Sequence, residues 1–495
     1  MGEDVEYLSD GKANNNQQFN HLTIINQQPA ISYQRSNKLK YALALLPLLL
    51  LLSLLSCEPR DEVITDDPTA VLAFSGDTVL FDTVFVSRGS ITKRLKVYNR
   101  NAKAVRISEI TLAGAAASPY QLTINGVQSP LANNVELRGG DSLYVLVKVN
   151  INPTNENQPF LVADSILFRT NGQQQHVKLL AYGQNAYFHR KGAIGTALWD
   201  NDKPHVLLDS VLVQEGATLT IRKGSHIYGS NKAVLLVNGR LLVEGTPEER
   251  VVFSGYRREE AYQAAPGQWE GIRILTKSGD NQIRYTDIRN TLYGLRIGNP
   301  GKAGTLVEGC IIADAYLDGI VAFTSDVQVL NTLIYNCGQY GFGGLGGGNY
   351  EVLHSTIVSY HNKLVRETPL FVVTDFIPGT EIEDKATSLR LTNSIVYSDS
   401  HAMEDEVLIS PLSAATEISH NLLRTSVYIP NWQESDNKLN AEPKFKKPAK
   451  FDFSLDTLSP ASNAAHYLPR LPLDLKGQAR STTQPDMGAL ERTID

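Results

Sequence analysis

The residues best able to do chemistry in this sequence are few and scattered. Near the C-terminal end Asp474, Gly477, Arg480, Pro485, Asp486, Gly488, Ala489 and Glu491 gather three carboxylates and an arginine into a short span. Further back lie Asp287, Asp314 and Asp318, and the histidines His354 and His361. Cleaving a glycosidic bond by acid–base chemistry needs two carboxyl groups flanking it, roughly 5–9.5 Å apart. Eliminating across a uronate needs an acidic calcium site with a base beside it. The three aspartates do not share a register, Asp314 being explained by a turn. A histidine in a polar turn accounts for His354 and His361. No catalytic residue, metal site or cofactor is assigned.

The 42% hydrophobic and 20% charged composition of the 495 residues predicts packed domains, two or three at this length. A net charge of −6 without clustered lysine or arginine excludes nucleic acid as a partner. Three cysteines are too few for a disulfide scaffold. Cys310 and Cys337 occupy different registers and are expected to be free thiols.

Cys57 has a different setting. Residues 41–55 are apolar and uncharged, preceded by Arg35, Lys38 and Lys40 and followed by Ser56. Fifteen residues fall short of the ~20 that span a bilayer, and the layout is that of a signal peptide. Leu54-Leu55-Ser56-Cys57 resembles the bacterial lipobox, which implies lipidation of Cys57. Glu58-Pro59-Arg60-Asp61-Glu62 resembles the surface-export signal of Bacteroidota lipoproteins. The expected location is the outer membrane, lipid-anchored and surface-exposed, with 1–56 as signal peptide and 57–70 as linker. Residues 1–34, rich in Asn and Gln, are read as an extension ahead of the true start.

Residues 71–185 read as short strands. Leu143, Val145, Val147 and Val149 alternate with Tyr144, Leu146 and Lys148, the period of a sheet with one buried face. "LKVYNRNAKAVRISEITLAG", "LRGGDSLYVLVKVNINP" and "DSILFRTNGQQQHVKLLAYG" resemble Ig-like modules of the Hydin and choice-of-anchor type. The resemblance implies a β-sandwich acting as a spacer or a binding module, and a stalk that lifts the next domain off the membrane is the preferred reading.

Residues 200–440 are repetitive. Ile288, Ile312, Ile334, Ile357 and Ile395 recur at intervals of 24, 22, 23 and 38 residues. One coil of three strands and three turns has this length, so the five isoleucines should stack as one interior column. Asn290, Asp314, Asn336 and Ser359, two residues on, should form a polar ladder, and Gly294, Gly319 and Gly341 should open the next strands. The longest interval is read as one coil carrying an insertion at 362–388. "VLVQEGATLTIRKGSHIYGSNKAVLLVNGRLLVEGTPEERVVFSGY" and "GQWEGIRI" resemble the coils of secreted right-handed parallel β-helices of the pectate-lyase-like superfamily. Residues 441–495 resemble the ending of such proteins and are expected to cap the last coil.

That superfamily implies an all-β solenoid and hosts lyases, hydrolases, esterases and adhesins, so fold alone assigns no activity. The polygalacturonase-type N-T-D, D-D, G-H-G and R-I-K set is absent from the repeats. The expectation is a monomeric surface lipoprotein binding glycan or another envelope component without catalysis. The alternative is a polysaccharide lyase or glycoside hydrolase. Binding residues are sought in two long loops, with Tyr256, Arg257, Arg258 and Tyr262 in one and Lys363 and Arg366 in the other.

Overall fold

The computed structural model describes residues 63–360, 364–380, 386–400, 403–410, 415–426, 432 and 434–492. Cys57, His361 and Lys363 lie outside them. No helix among the described residues is long and apolar enough to cross a membrane.

The N-terminal body is a sandwich of two five-stranded sheets. In strand Ser142–Val149 the expected alternation holds: Val145, Val147 and Val149 are buried while Tyr144 faces solvent. They pack across the interior onto Ile107, Ile110, Ile166 and Phe168 of the facing sheet. Asn171 and Gly172 both take positive φ, the turn that joins Phe160–Thr170 to Gln173–Gln184 as a hairpin.

Two residues later the solenoid begins. Its first coil is Tyr187–His189, Gly192–Ile194 and Ala197–Trp199, ahead of the start expected at 200. The first nine coils each contribute one strand to each of three parallel sheets, and two further strands extend the first, giving eleven, nine and nine among the described residues. The body is a right-handed parallel β-helix, stacked at about 4.8 Å per coil. The nine-stranded sheet that follows the eleven-stranded one in each coil is called the second sheet here, and the next the third.

Ile288, Ile312, Ile334 and Ile357 pair in one register on the eleven-stranded sheet and are fully buried. The fifth member is Val396, not Ile395. Ile395 pairs with Thr356 and joins the outer cluster under the C-terminal segment. Two adjacent β-branched residues leave the register open by one, and one residue is enough to exchange the two faces of a strand. Gly294, Gly319 and Gly341 stack alongside. A Cβ on Gly319 would lie 2.7 Å from Ile334 Cγ2 and 2.8 Å from the Gly341 carbonyl oxygen, which excludes any larger residue.

The polar ladder is shorter than expected. Asn290, Asp314 and Asn336 take left-handed conformations, but Ser359 ends a strand. Only Asn336 donates to Asp314, at 3.1 Å, whereas Asn290 donates to the carbonyls of Gln263 and Ala265. A longer ladder runs where the third sheet turns into the eleven-stranded one. There Thr332, Ser355, Ser394, Asn421 and Asn437 each accept a backbone N–H from the preceding coil, at 2.8–3.4 Å. Asn331, His354, Asn393, His420 and Asp436 precede them with φ of 46–58°, making the tight corner.

The C-terminal segment does not cap the last coil. It lies along the outside of the eleven-stranded sheet, where Phe453, Leu455, Leu475, Met487 and Leu490 cover Leu333, Tyr335, Val358 and Leu422. The carboxylates and arginine noted in the sequence hold it there. Arg480 donates to Asn331 Oδ1 and to the Gly488 carbonyl at 3.0 Å, and pairs with Glu491 at 3.2 Å. Asp474 accepts the N–H groups of Lys476, Gln478 and Glu491. The terminal coil instead packs Trp432 into the interior cluster.

Candidate ligand groove

Strands of the third sheet place Val243, Ile283, Val307, Val329, Val352 and Leu391 inward in one register. The residue before each must then point outward. That outer row is Leu242, Gln282, Leu306, Gln328, Glu351 and Arg390, continued by Glu417.

From Gln282 to Glu417 the row forms the floor of a groove of about 600 Å³. Six strands at the spacing of stacked coils make it about 24 Å long. One wall is the entry to the third sheet, with Asp280, Gly304 and Asp326 just ahead of their strands and Asn349 and Ser388 each second in theirs. On the other side Leu468 and Leu471 of the C-terminal segment rest on Leu330 and Leu353, and Arg470 pairs with Glu351.

The groove is polar and internally matched. Glu351 accepts from Gln328 at 3.0 Å and pairs with Arg390 at 3.5 Å, and Arg390 reaches Glu417 at 3.3 Å. Asp326 accepts both the backbone N–H and the side-chain amide of Asn349 at 2.9 Å. Asp280 pairs with Arg240. Each of these carboxylates is thus engaged by a cation or an amide, the arrangement of a hydrogen-bonding surface rather than of a free acid and base.

Of the described residues expected in binding loops, Tyr256, Arg257, Arg258, Tyr262 and Arg366, none lines this groove. Tyr256 packs on Phe85 of the sandwich, ring centroids 5.5 Å apart, and Phe85 also meets Tyr228. Burial pushes the Tyr256 phenol up from its ordinary value. Arg257 pairs with Glu259 at 3.0 Å and lies over the Tyr262 ring, and Arg258 lies over Tyr228. This loop helps fasten the sandwich to the solenoid. Arg366 faces inward: its guanidinium grips the fully buried Glu406 with two bonds of 2.7 and 2.6 Å. The stretch 362–388 is not one loop, because strand Phe371–Thr374 runs through it as part of the second sheet.

The other candidates disperse. Asp287 pairs with Arg250 and Arg289 outside the eleven-stranded sheet, Asp314 sits at the next corner, and Asp318 opens the second sheet. Burial raises Asp318 to about 6 against the pull of the Tyr340 N–H and Arg296. His354 is not a surface histidine but is fully buried, bonded to Asn393 at 2.8 Å, and burial drives it well below the ordinary imidazole range. Cys310 and Cys337 are buried thiols outside any disulfide, the first pushed up to about 12 by desolvation. Among the described residues no group of three or more His, Cys, Asp or Glu converges as a metal cage would require. Sequence reasoning missed the groove because its signal is the polar residue preceding each aliphatic repeat, a position that also reads as ordinary solvated surface.

No protein-family model matches the chain, and no curated protein matches it. Among solved structures, a protein of unknown function from Porphyromonas gingivalis W83 aligns at 12% identity, with a TM-score of 0.17. That alignment covers 23% of this chain and 46% of the other, so the chain spans less than half of that relative. PapD-like domain 7 of human CEP192 aligns at 10% identity over 26% of this chain and 92% of that domain, with a TM-score of 0.17. The periplasmic chaperone SfaE aligns at 17% identity over 23% of this chain and 58% of its own, again with a TM-score of 0.17.

Proposed function

We propose that this is a lipid-anchored outer-membrane protein, surface-exposed, whose β-helix binds a glycan along the third-sheet groove without cleaving it. The observation that carries the reading is the outer row of planar amides, carboxylates and a guanidinium along a groove about 24 Å long. Sugar hydroxyls donate and accept at once, and such side chains offer both roles at fixed positions. The matched charges of Glu351, Arg390 and Glu417 pre-organise the row, so little side-chain freedom is lost on binding. The sandwich, of the Ig-like kind its sequence resembles, acts as the spacer between membrane and solenoid.

The groove is tested by titrating the protein with a panel of oligosaccharides. Gln328→Ala with Asn349→Ala is expected to weaken binding about tenfold or more, since each removes a hydrogen-bonding group worth about 1 kcal/mol. Equal affinity in the double variant removes the groove from consideration. Depolymerisation of a bound polymer, seen as new unsaturated ends absorbing in the ultraviolet, overturns the non-catalytic reading in favour of a lyase.

The anchor is tested separately. Cys57→Ala is expected to move the protein from the membrane fraction to the soluble one, because the thioether forms on that thiol. Labelled fatty acid still incorporated into the variant would rule the lipidation site out.

A further inference from the structure

Where charged residues follow one another in register on the third sheet, their signs alternate from coil to coil. On the third sheet Arg222, Glu244, Arg284 and Glu308 occupy one register on successive strands, and Glu351, Arg390 and Glu417 another. Opposite charges on neighbouring strands attract and like charges directly opposite repel.

The second sheet breaks this rule once. Arg273 and Arg296 are register partners on adjacent strands, Trp269–Ile274 and Thr291–Ile297, and both point outward. Glu270 pairs with Arg273 at 2.5 Å. No carboxylate among the described residues lies within ion-pair distance of Arg296. Beyond that distance Asp318, which is buried and accepts the Tyr340 N–H at 3.0 Å, is the carboxylate that feels the Arg296 charge. What flanks Arg296 is aromatic: the rings of Tyr293 and Phe323 lie 5.1 and 4.9 Å from its guanidinium carbon. Arg273 shares the Tyr293 ring, at 6.0 Å.

The backbone is bent to produce this arrangement. The register slips at Gly294, where Gly271 pairs with Tyr293 but Ile272 with Leu295. Such a bulge reverses the side-chain alternation. Leu295 faces the interior, so without the bulge Tyr293 would face it as well; with the bulge, Tyr293 turns outward between the two arginines. Only glycine fits at the bulge, since a Cβ there would lie 2.4 Å from the Gly319 carbonyl oxygen.

We infer that Arg296, with Arg273 beside it and Tyr293 and Phe323 as its seat, is a binding site for a carboxylate or sulfate borne on a saccharide chain. The two guanidinium forks stand one strand apart, the aromatic rings hold the Arg296 guanidinium plane, and an anion relieves the repulsion between the pair. The rings also offer apolar faces to the sugar carrying the charge. This face is separate from the third-sheet groove, so either site can fail without the other.

The test is calorimetric titration of the full chain with size-matched neutral, uronate and sulfated oligosaccharides at two salt concentrations. At least one anionic series is expected to bind, and more weakly at high salt. The uronate and sulfated arms tell which anion is preferred. Arg296→Gln is expected to weaken that binding about tenfold while its circular dichroism spectrum stays that of the parent, because the side chain lies on the outer face. Arg296→Lys keeps the charge without the fork and should fall between the two. Failure of both anionic series to bind overturns the site, and so does unchanged anion affinity in Arg296→Gln.

Discussion

Ile334→Asp is expected to abolish cooperative folding of the coils around it. Ile334 is fully buried in the column between Ile312 and Ile357, and its Cγ2 already closes the space beside Gly319. A carboxylate there would sit among aliphatic side chains, and the glycine stack leaves no room to rotate away. Burying an unpaired charge costs at least several kcal/mol even when the group protonates instead, a large share of the ~5–15 kcal/mol that holds a typical domain. Thr220→Asp, on the outer face of the third sheet, should change stability by no more than about 0.5 kcal/mol. Urea denaturation followed by circular dichroism measures both. A parent-like midpoint for Ile334→Asp contradicts the register.

Arg366→Met should destabilise by about 3–5 kcal/mol, the range seen when one partner of a buried ion pair is removed. Glu406 would keep only the Leu370 N–H, at 3.0 Å, in a site with no solvent exposure. The double variant Arg366→Met with Glu406→Gln removes the stranded charge and should recover much of that loss. The comparison separates the pair from mere packing. If the double variant is no more stable than Arg366→Met alone, the guanidinium was acting through its hydrocarbon and not its charge.

Much of the architecture was legible in the residues. The 22–24-residue recurrence from Ile288 to Ile357 is a direct consequence of coil length, and the alternation in 143–149 of a half-buried strand. What escaped was parity and depth. Ser394-Ile395-Val396 offers two aliphatic residues where the pattern needs one, so the column was extended to the wrong neighbour. Phe371–Thr374 is only four residues long and flanked by long turns, which made a stretch containing a strand look like a single insertion. Arg366 and Glu406 are 40 residues apart, a pairing that no local pattern announces. The groove and the arginine pair depend on which residues of adjacent coils stand side by side, and that follows only once the register is exact to one residue, including the slip at Gly294.

The C-terminal segment bears on how the chain matures. In a simple solenoid each coil touches only its neighbours, so coils can form one after another as the chain is made. Here the corner residues Asn331 and Asn393 find partners in Leu473, His466, Arg480 and Gly488, up to 149 positions later. Those contacts tie together coils that do not touch one another, so loss of the segment loosens several coils at once. During synthesis the earlier coils keep those polar groups and the apolar outer face of the eleven-stranded sheet uncovered until residues 445–490 emerge. Removing the residues from Leu473 onward would strip Asn331 of Leu473 and Arg480 and Asn393 of Gly488, and would uncover the part of the flank under Leu475, Met487 and Leu490, while Phe453 and Leu455 keep their places.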